Sequence, residues 1–128
     1  MSQEHLKNST VEEILETQEE SEEDDELIFT LFVNKKLVSW AKTSLYSFLK
    51  EIHTARAEKR KGYGRKLLAH VEKTAEAHGA IIMKTGGVNS GNCEAVGFFR
   101  SMGYGLRPIE NDAPGFLEGT KSLQKTPA

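Results

Sequence analysis

Hydrophobic residues follow two different periods along this chain. Two apolar and β-branched runs, "ELIFTLFV" and "LVSWAK", flank an "NKK" turn signal, which predicts a β-hairpin over residues 27–42. The segment "LYSFLKEIHTA" predicts a third strand. Simple alternation places Leu49, Glu51 and His53 on one face of that strand, and Phe48, Lys50, Ile52 and Thr54 on the other.

A helical period begins at Gly64. Leu67, Leu68, Val71 and Ala75 form an apolar stripe, which predicts an amphipathic helix that ends at Gly79. "AIIMKT" then predicts a buried strand, "GGVNSGN" a loop, and "CEAVGFFRSM" a second helix. "YGLRPI" and "FLEGTKSL" predict two last strands around an "ENDAPG" turn. This order of elements is typical of a mixed α/β fold.

The first 26 residues differ from the rest of the chain. Ser9 and Glu12 form a capping-box pattern before an apolar periodicity, which predicts a short helix over residues 10–19. "EESEEDDE" is typical of a disordered linker, because its like charges repel and nothing in it can be buried. We therefore divide the chain into an acidic leader (1–26), one folded domain (27–123) and a tail (124–128).

Charge separates the leader from the domain as clearly as the pattern does. Of the 19 acidic and 17 basic residues, the leader holds 11 acids and 1 base, so 8 acids and 16 bases remain for the rest. The net charge of −2 is thus the sum of −10 and +8. A basic domain favours an anionic ligand or partner, although both charged parts could also serve solubility alone.

Composition places the chain among single-domain globular proteins of the cytoplasm. Its length of 128 residues suits one core, and its apolar runs are too short to span a membrane, so we expect no membrane partner. The N-terminus lacks the apolar stretch of a secretory signal. Cys93, the single cysteine, cannot form an internal disulfide, which fits a reducing compartment, and we interpret it as a buried, inert thiol.

A cationic, glycine-rich stretch, "EKRKGYGRKLL", lies between the third strand and the first long helix. A turn from a strand into a helix presents free backbone N–H groups at the positive end of the helix dipole, which binds phosphate. The residues alone leave three interpretations open: a phosphate cradle, a nucleic-acid patch and a solvated loop. The dinucleotide and Walker patterns are both absent, and few aromatic residues are available to stack on bases, which disfavours a nucleic-acid partner.

Two motifs resemble the GNAT superfamily of acetyl-CoA-dependent N-acetyltransferases. The segment "KRKGYG" (59–64) is similar to the family's R/Q-x-x-G-x-G/A signature, which lies between the fourth strand and the next helix. A second family motif matches at Asn92, Ala95, Phe98, Phe99, Gly103 and Tyr104. The resemblance covers residues 27–123 and implies a mixed, mostly antiparallel central sheet flanked by helices.

The resemblance also implies a reaction, namely acetyl transfer from acetyl-CoA to a primary amine, with no metal. The backbone of residues 61–66 would hold the pyrophosphate of the cosubstrate, and residues 54–56 would pair with its pantetheine arm. Asn92 would contact that arm and Phe98 would pack near it. The cofactor-binding residues expected in this way are Thr54, Ala55, Arg56, Lys59, Arg60, Lys61, Gly62, Tyr63, Gly64, Arg65, Lys66, Asn92 and Phe98.

An amine must lose a proton before it attacks a thioester. Neutralising a lysine amine at pH 7 costs roughly 4 to 5 kcal/mol, against about 1 kcal/mol for an α-amine. Glu51 is the candidate general base, because several members of the family look similar in carrying a glutamate in this strand. The alternative is a surface carboxylate paired with a neighbouring lysine. His53 is expected on the same face and could assist.

Three features depart from the family pattern. Lys59 stands where the signature has Arg or Gln, and Phe99 stands where many members carry a tyrosine that protonates the leaving thiolate. The thiolate then leaves unassisted, or Tyr104 or Tyr63 takes that role, or the chain is a catalytically weak acyl-CoA-binding module or regulatory subunit. Third, members usually begin with a strand and two helices, so we expect a truncated front and an acceptor site that is open or completed in a homodimer. An open site favours a protein or peptide acceptor.

Overall fold

A seven-stranded sheet in the order β1-β2-β3-β4-β5-β7-β6 runs through the computed structural model, which describes residues 11–20, 25–44, 46–109 and 115–123. Neighbouring strands are antiparallel except for β4 and β5, which are parallel. The predicted mixed α/β fold with a mostly antiparallel sheet is therefore confirmed. The strands are β1 (Glu12–Glu20), β2 (Asp25–Val33), β3 (Lys36–Ser44), β4 (Phe48–Thr54), β5 (Ile82–Asn89), β6 (Gly105–Pro108) and β7 (Phe116–Ser122), and the helices are α1 (Tyr63–Ala77) and α2 (Cys93–Ser101).

The helix predicted over residues 10–19 is wrong, because this segment forms strand β1. The turn between β2 and β3 fixes its start: the Val11 N–H donates to Asn34 Oδ1 at 2.9 Å, and the Val11 carbonyl accepts from the Asn34 N–H at 2.8 Å. Ile14 then lies opposite Leu31 and packs against the core. Pairing along the whole of β2 thus overrides a capping-box pattern that only local sequence supports.

The acidic leader consequently belongs to the domain rather than preceding it. The predicted linker includes Glu19, Glu20, Asp25 and Glu26, all of which lie in strands. Only residues 21–24, which lie outside the described residues together with the predicted tail, separate β1 from β2. The expectation that part of the usual strand-helix-helix is lacking is confirmed for the helices, since four residues leave no room for two helices between β1 and β2. Strand β1, in contrast, is present, although the sequence pattern did not predict it.

Both helices end in the same type of cap. After α1, Gly79 takes a φ of 91°, its N–H donates to the Glu76 carbonyl, and the Ala80 N–H donates to the Ala75 carbonyl. After α2, Gly103 has a φ of 95°, and the Tyr104 N–H donates to the Phe99 carbonyl. These are Schellman motifs, which need a left-handed residue and therefore favour glycine. The Gly-Tyr pair that ends the second family motif is thus a helix stop.

Both helices pack on one face of the sheet. The buried residues of β2 and β3, such as Phe29 and Ala41, lie beneath Leu67, Leu68 and Val71 of α1. The opposite face is partly open among the described residues, since Leu15, Leu37 and Phe48 are exposed there, while Trp40 is half-buried.

A β-bulge changes which residues of β4 share a face. Thr43 pairs with Leu49 and Lys42 pairs with Glu51, so Lys50 is an extra residue between two pairs. Leu49 is therefore buried on the helix face, and Glu51 and His53 point to the open face. The predicted grouping of Leu49 with Glu51 and His53 is wrong, because simple alternation does not allow for this extra residue.

A buried polar cluster joins α1 to strand β7 and to the end of α2. Glu72, 9% exposed, accepts a hydrogen bond from the Tyr104 hydroxyl and another from Lys121 Nζ, each at 2.7 Å. Burial, and then the bond to Glu72, raises the pKa of Tyr104 above the ordinary value of tyrosine. Tyr104 therefore stays protonated and fixes α1 to the end of α2.

We expect Tyr104→Phe to lower the free energy of unfolding by about 1.5 to 3 kcal/mol at pH 7, because it removes a buried hydrogen bond to a charged group. Unfolded tyrosine ionises near pH 10, whereas folded Tyr104 keeps its proton, so stability falls as the pH rises above about 10. The variant lacks this penalty, and its deficit should therefore shrink by up to about 1.4 kcal/mol per pH unit above that point.

Urea unfolding at pH 7, 9 and 11 measures both effects. Tyr46→Phe is the matched control, since Tyr46 stacks on His78 at 3.9 Å and the structure shows no hydrogen bond from its hydroxyl among the described residues. Equal losses in the two variants, or a deficit that does not depend on pH, would contradict this account of Tyr104.

Candidate active site

Strands β4 and β5 part soon after they meet. Their pairing is limited to Phe48 with Lys84 and Leu49 with Thr85, and the Lys84 N–H donates to the Ser47 carbonyl at 2.8 Å. A cavity of about 780 Å³ lies beside the open end of this gap. It is bounded by the end of β4, by the cationic, glycine-rich residues 59–66, which we call the basic turn, and by the start of α2. The fold thus brings the two sequence motifs to one cavity.

The end of β4 offers backbone groups to the gap. The Ala55 N–H donates to the Val38 carbonyl of β3 at 2.8 Å. Because successive residues of a strand point their backbone groups in opposite directions, the N–H and C=O of Thr54 face away from β3 and into the gap. An extended ligand arm can therefore pair with this edge, as an added strand would.

Strand β4 leads through a short 3-10 turn (Arg56–Glu58) into the basic turn and α1. Helix α1 begins at Tyr63, and the first helical bond runs from the Lys66 N–H to the Gly62 carbonyl at 3.1 Å. The N–H groups of Tyr63, Gly64 and Arg65 therefore have no intrahelical acceptor, and the N-cap Gly62 has no side chain to satisfy them. A helix start of this kind is suited to binding an anion. The Lys66 amide, which the sequence included in this cradle, is already used by the helix.

Gly62 and Gly64 are each required at their positions in the basic turn, the first by its backbone conformation and the second by close packing. Gly62 takes a φ of 82°, which a residue with a Cβ adopts only with strain. A Cβ on Gly64 would lie 3.3 Å from Phe98 Cε1 and 3.3 Å from Thr54 Oγ1, so Gly64 allows α1, β4 and α2 to meet closely. Arg60 also takes a left-handed φ of 69°, which is unusual for a residue other than glycine.

Carboxylates hold most of the turn's lysines. Glu58 pairs with Lys61 at 2.8 Å and with Lys36 at 3.2 Å, and hydrogen bonds from Lys61 and then Lys36 keep the pKa of the Glu58 carboxyl below its ordinary value. Lys59 pairs with Glu94 of α2 at 3.0 Å.

The third lysine of the turn is held by strand β1. Lys66 pairs with Glu12 of β1 at 2.7 Å, so the acidic strand reaches the first turn of α1. Arg60 and Arg65 have no carboxylate partner among the described residues, so their charge remains available at the mouth of the cavity.

Asn92 and Phe98 position the start of α2. The Asn92 side chain caps the helix by accepting from the Ala95 N–H at 3.0 Å, and its amide N–H₂ group can still donate to a ligand. Phe98 lies against Gly64 and stacks edge-on against Phe99 at 5.2 Å.

The structure brings together most of the expected cofactor-binding residues. Those that line the large cavity are Thr54, Lys59, Arg60, Gly62, Tyr63, Gly64, Arg65, Asn92 and Phe98. Ala55, Arg56, Lys61 and Lys66 do not line it. Lys61 instead borders a smaller cavity of about 300 Å³ near the β2–β3 turn.

Glu51 lies outside the cavity, whereas His53 lines it. The two side chains are neighbours on the open face, with His53 Nε2 3.9 Å from Glu51 Oε1. The His53 ring also lies 5.6 Å from the Trp40 ring, at an interplanar angle of 32°. Lys42 stands directly across from Glu51, but these two described side chains form no ion pair.

The tyrosines differ in what they offer to the cavity. Phe99 is buried and packs edge-on against Tyr104 at 5.5 Å. The Tyr104 hydroxyl donates a hydrogen bond to Glu72 inside the core, so it cannot serve as a general acid in the cavity. This excludes one of the two tyrosines that could replace the proton donor missing at Phe99. Tyr63 lines the cavity and keeps that role open.

Sequence reasoning missed several residues that line the cavity. Glu58 and Glu94 bring carboxylates to its rim. Only Glu58 could have been found from the sequence, because it lies three residues before Lys61, a spacing that allows an ion pair. Cys93 is exposed at the first residue of α2 and lines the cavity, so the interpretation as a buried thiol is wrong. The described residues contain no cluster of three or more His, Cys, Asp or Glu side chains that could hold a metal ion, and neither helix could span a membrane.

Comparison with known proteins identifies this arrangement. A model of the acetyltransferase (GNAT) family matches residues 2–104, which includes β1, the basic turn and α2. No curated protein matches the sequence significantly.

Several solved structures share the fold at low identity. The ribosomal-protein-S18-alanine N-acetyltransferase from Escherichia coli is 19% identical with a TM-score of 0.71, and the match covers 93% of this chain and 97% of that one. The PaiA N-acetyltransferase from Thermoplasma acidophilum, in complex with coenzyme A, is 17% identical with a TM-score of 0.67, over 76% of this chain and 60% of that chain's length. An aminoglycoside 6'-N-acetyltransferase complexed with coenzyme A is 13% identical with a TM-score of 0.65, over 80% and 76%.

These likenesses establish the fold, and the family match covers well over half of the sequence. The chain belongs to the GNAT acetyltransferase family.

Proposed function

We propose that this protein is an N-acetyltransferase that moves an acetyl group from acetyl-CoA to a primary amine. The observation that carries the proposal is the helix start at Gly62–Arg65, whose unpartnered amides and cations open onto the cavity beside the β4–β5 gap. Diphosphate suits such a helix start, and the cavity has room for a long ligand arm. Two of the structurally similar acetyltransferases were solved with coenzyme A, which supports the same cosubstrate here.

Each part of acetyl-CoA has a matching feature in the chain. The amides of Tyr63, Gly64 and Arg65 would bind the pyrophosphate, and the arginine side chains of the turn would add charge. The backbone of Thr54 would pair with the pantetheine arm, and the amide N–H₂ of Asn92 would donate to it. Backbone N–H groups at the edge of the gap suit an oxyanion that forms at the thioester carbon.

The acceptor amine would approach from the open sheet face, because α1 and α2 occupy the other face. Glu51 and His53 lie on this open face, with exposed side chains. A protein or peptide amine suits a site open on one side better than a small amine that needs enclosure on all sides. We place the reaction in the cytoplasm, which the single cysteine supports, and a second subunit could complete the acceptor site.

A second function, acyl-CoA binding with little or no catalysis, is favoured by one observation. Phe99 replaces a proton donor, and the hydroxyl of Tyr104 is used inside the core. A thiol near pKa 8.5 is an adequate leaving group without assistance, which keeps catalysis the stronger proposal. Release of free thiol from acetyl-CoA with α-amine peptides, lysine peptides and small polyamines as acceptors distinguishes the two functions.

We expect Gly62→Glu to weaken acetyl-CoA binding by about tenfold or more, because it places a carboxylate on the anion-binding helix start. Titration calorimetry measures the affinity. Gly79→Glu is the matched control: Gly79 has a φ of 91° and open space around its Cβ position, like Gly62, but lies at the other end of α1. Equal loss in both variants would mean that backbone strain, and not a phosphate site, accounts for the effect.

Removing the carboxylate that holds Lys66 should strengthen binding. We expect Glu12→Gln to tighten coenzyme A binding about two- to fivefold at low salt, since it frees one ammonium group near the helix start. Truncation of the leader would not test this, because it would also remove strand β1 from the sheet. Glu16→Gln is the control: Glu16 is exposed on the same face of β1, and the structure shows no ion pair for it among the described residues. An effect that is the same for both variants, or that persists in high salt, would argue against competition at Lys66.

A further inference from the structure

We propose that His53 is the catalytic proton acceptor of this site, and that Glu51 is a positioning residue that acts through it. This inference rests on the proposed acetyl transfer and adds to it the residue that takes the proton. The family resemblance points to Glu51 as the base, because several members carry a glutamate in this strand. In the structure, however, His53 lines the cavity and Glu51 does not.

Position is the first argument. His53 lines the large cavity, and Glu51 does not. His53 is also the residue next to Thr54, whose backbone faces the gap where the thioester arm would pair. Its side chain points to the open face of the sheet, the side from which an amine can approach. A proton acceptor must lie within reach of the attacking nitrogen, and of these two residues it is His53 that lines the cavity.

Orientation is the second argument. Two neighbours constrain the imidazole: the half-buried Trp40 ring lies 5.6 Å away, and Glu51 Oε1 lies 3.9 Å from Nε2. Glu51 lies on the Nε2 side of the ring, so we assign the lone pair of Nδ1 to the substrate. The same carboxylate stabilises the imidazolium that forms when the proton is taken. Histidine changes its charge near neutral pH more readily than any other side chain, so it suits a step that takes up and releases a proton.

The charges around His53 determine how the site responds to pH. On its own strand it faces Glu51, and on β3 Lys42 lies across from Glu51 while Trp40 lies across from His53. The charged or titratable groups that line the same cavity from the basic turn and α2 are Glu58, Lys59, Arg60, Arg65, Cys93, Glu94 and, as a phenol, Tyr63. Three of these are cations, which attract the polyphosphate, and Glu51 is the carboxylate closest to the imidazole.

The step balances as follows. Nδ1 of His53 takes a proton from the acceptor ammonium, and the neutral amine attacks the thioester carbon. The C–N bond forms, the C–S bond breaks as the tetrahedral intermediate collapses, and coenzyme A leaves as the thiolate. The excess proton on the new amide nitrogen passes to the thiolate, and the imidazolium returns its proton to solvent. No oxidant, metal or further reactant takes part.

The test is kinetic, with binding measured separately. We expect His53→Gln to lower kcat by about 100-fold for a lysine acceptor, the size usual for loss of a general base, while calorimetric affinity for acetyl-CoA changes less than about twofold. Wild type should show a protonation step that suppresses kcat/KM toward acid pH, and that step should be missing in the variant. His78→Gln, at the far end of α1, is the matched control and should keep wild-type rates.

Glu51 is tested through His53. We expect Glu51→Gln to lower kcat about tenfold, to shift the acid limb of the pH profile, and to leave KM nearly unchanged, with partial recovery in Glu51→Asp. In a double variant with His53→Gln, the Glu51 change should add almost nothing, because a positioning residue has no effect without the group it positions.

The outcomes separate this inference from the proposed function. If the wild type acetylates an acceptor and His53→Gln does so with the same rate and pH profile, the inference is overturned and acetyl transfer remains supported. A larger loss in Glu51→Gln than in His53→Gln returns the role of base to Glu51. Wild type that binds acetyl-CoA but acetylates no acceptor removes the proposed reaction, and the inference with it.

Discussion

The parting of β4 from β5 is the constraint on which the rest of this site depends. Backbone N–H and C=O groups in a sheet interior need partners, and a parallel pair that ends after Leu49 and Thr85 leaves those of the following residues without one from each other. The protein uses this opening twice. It leaves an open strand edge at the end of β4, and it lets the chain turn into α1 at the same place, so that a helix start and an open strand edge meet at one cavity. A single departure from regular pairing therefore creates both halves of the site.

The two tyrosines near this opening differ in what they do: Tyr104 is bonded inside the core, and Tyr63 lines the cavity. Tyr104 and Glu72 are bonded to each other inside the core, where they join α1 to the end of α2. Tyr63 and His53 face the cavity. Because a buried carboxylate needs its donors, the hydroxyl of Tyr104 cannot be released without loss of the contact that holds the helices together. Any proton transfer in the cavity would therefore have to use the groups on its own rim.

How much could be predicted depended on whether the signal was local or came from pairing. The basic turn, both helices and the mixed sheet were predicted because glycine conformation, helix caps and apolar stripes act over a few residues. Strand β1 was missed because Val11, Ile14 and Leu15 fit a helical spacing, and only the partner strand β2 decides otherwise. One extra residue at Lys50 places Glu51 and His53 on the face opposite Leu49, and no sequence pattern marks that bulge. Motif reasoning located the basic turn, but only the structure shows that His53 lines the cavity and Glu51 does not.

Strand β1 is the edge of the sheet, and its composition has a consequence for how copies of this protein meet. Among the described residues no strand pairs with its outer side, and an unpaired edge invites association in many proteins. Here Glu12, Glu13 and Glu16 are all exposed along that edge. Two copies that approached edge to edge would bring these carboxylates together at close range. The acidity of β1 thus opposes edge-to-edge pairing between the sheets of two copies.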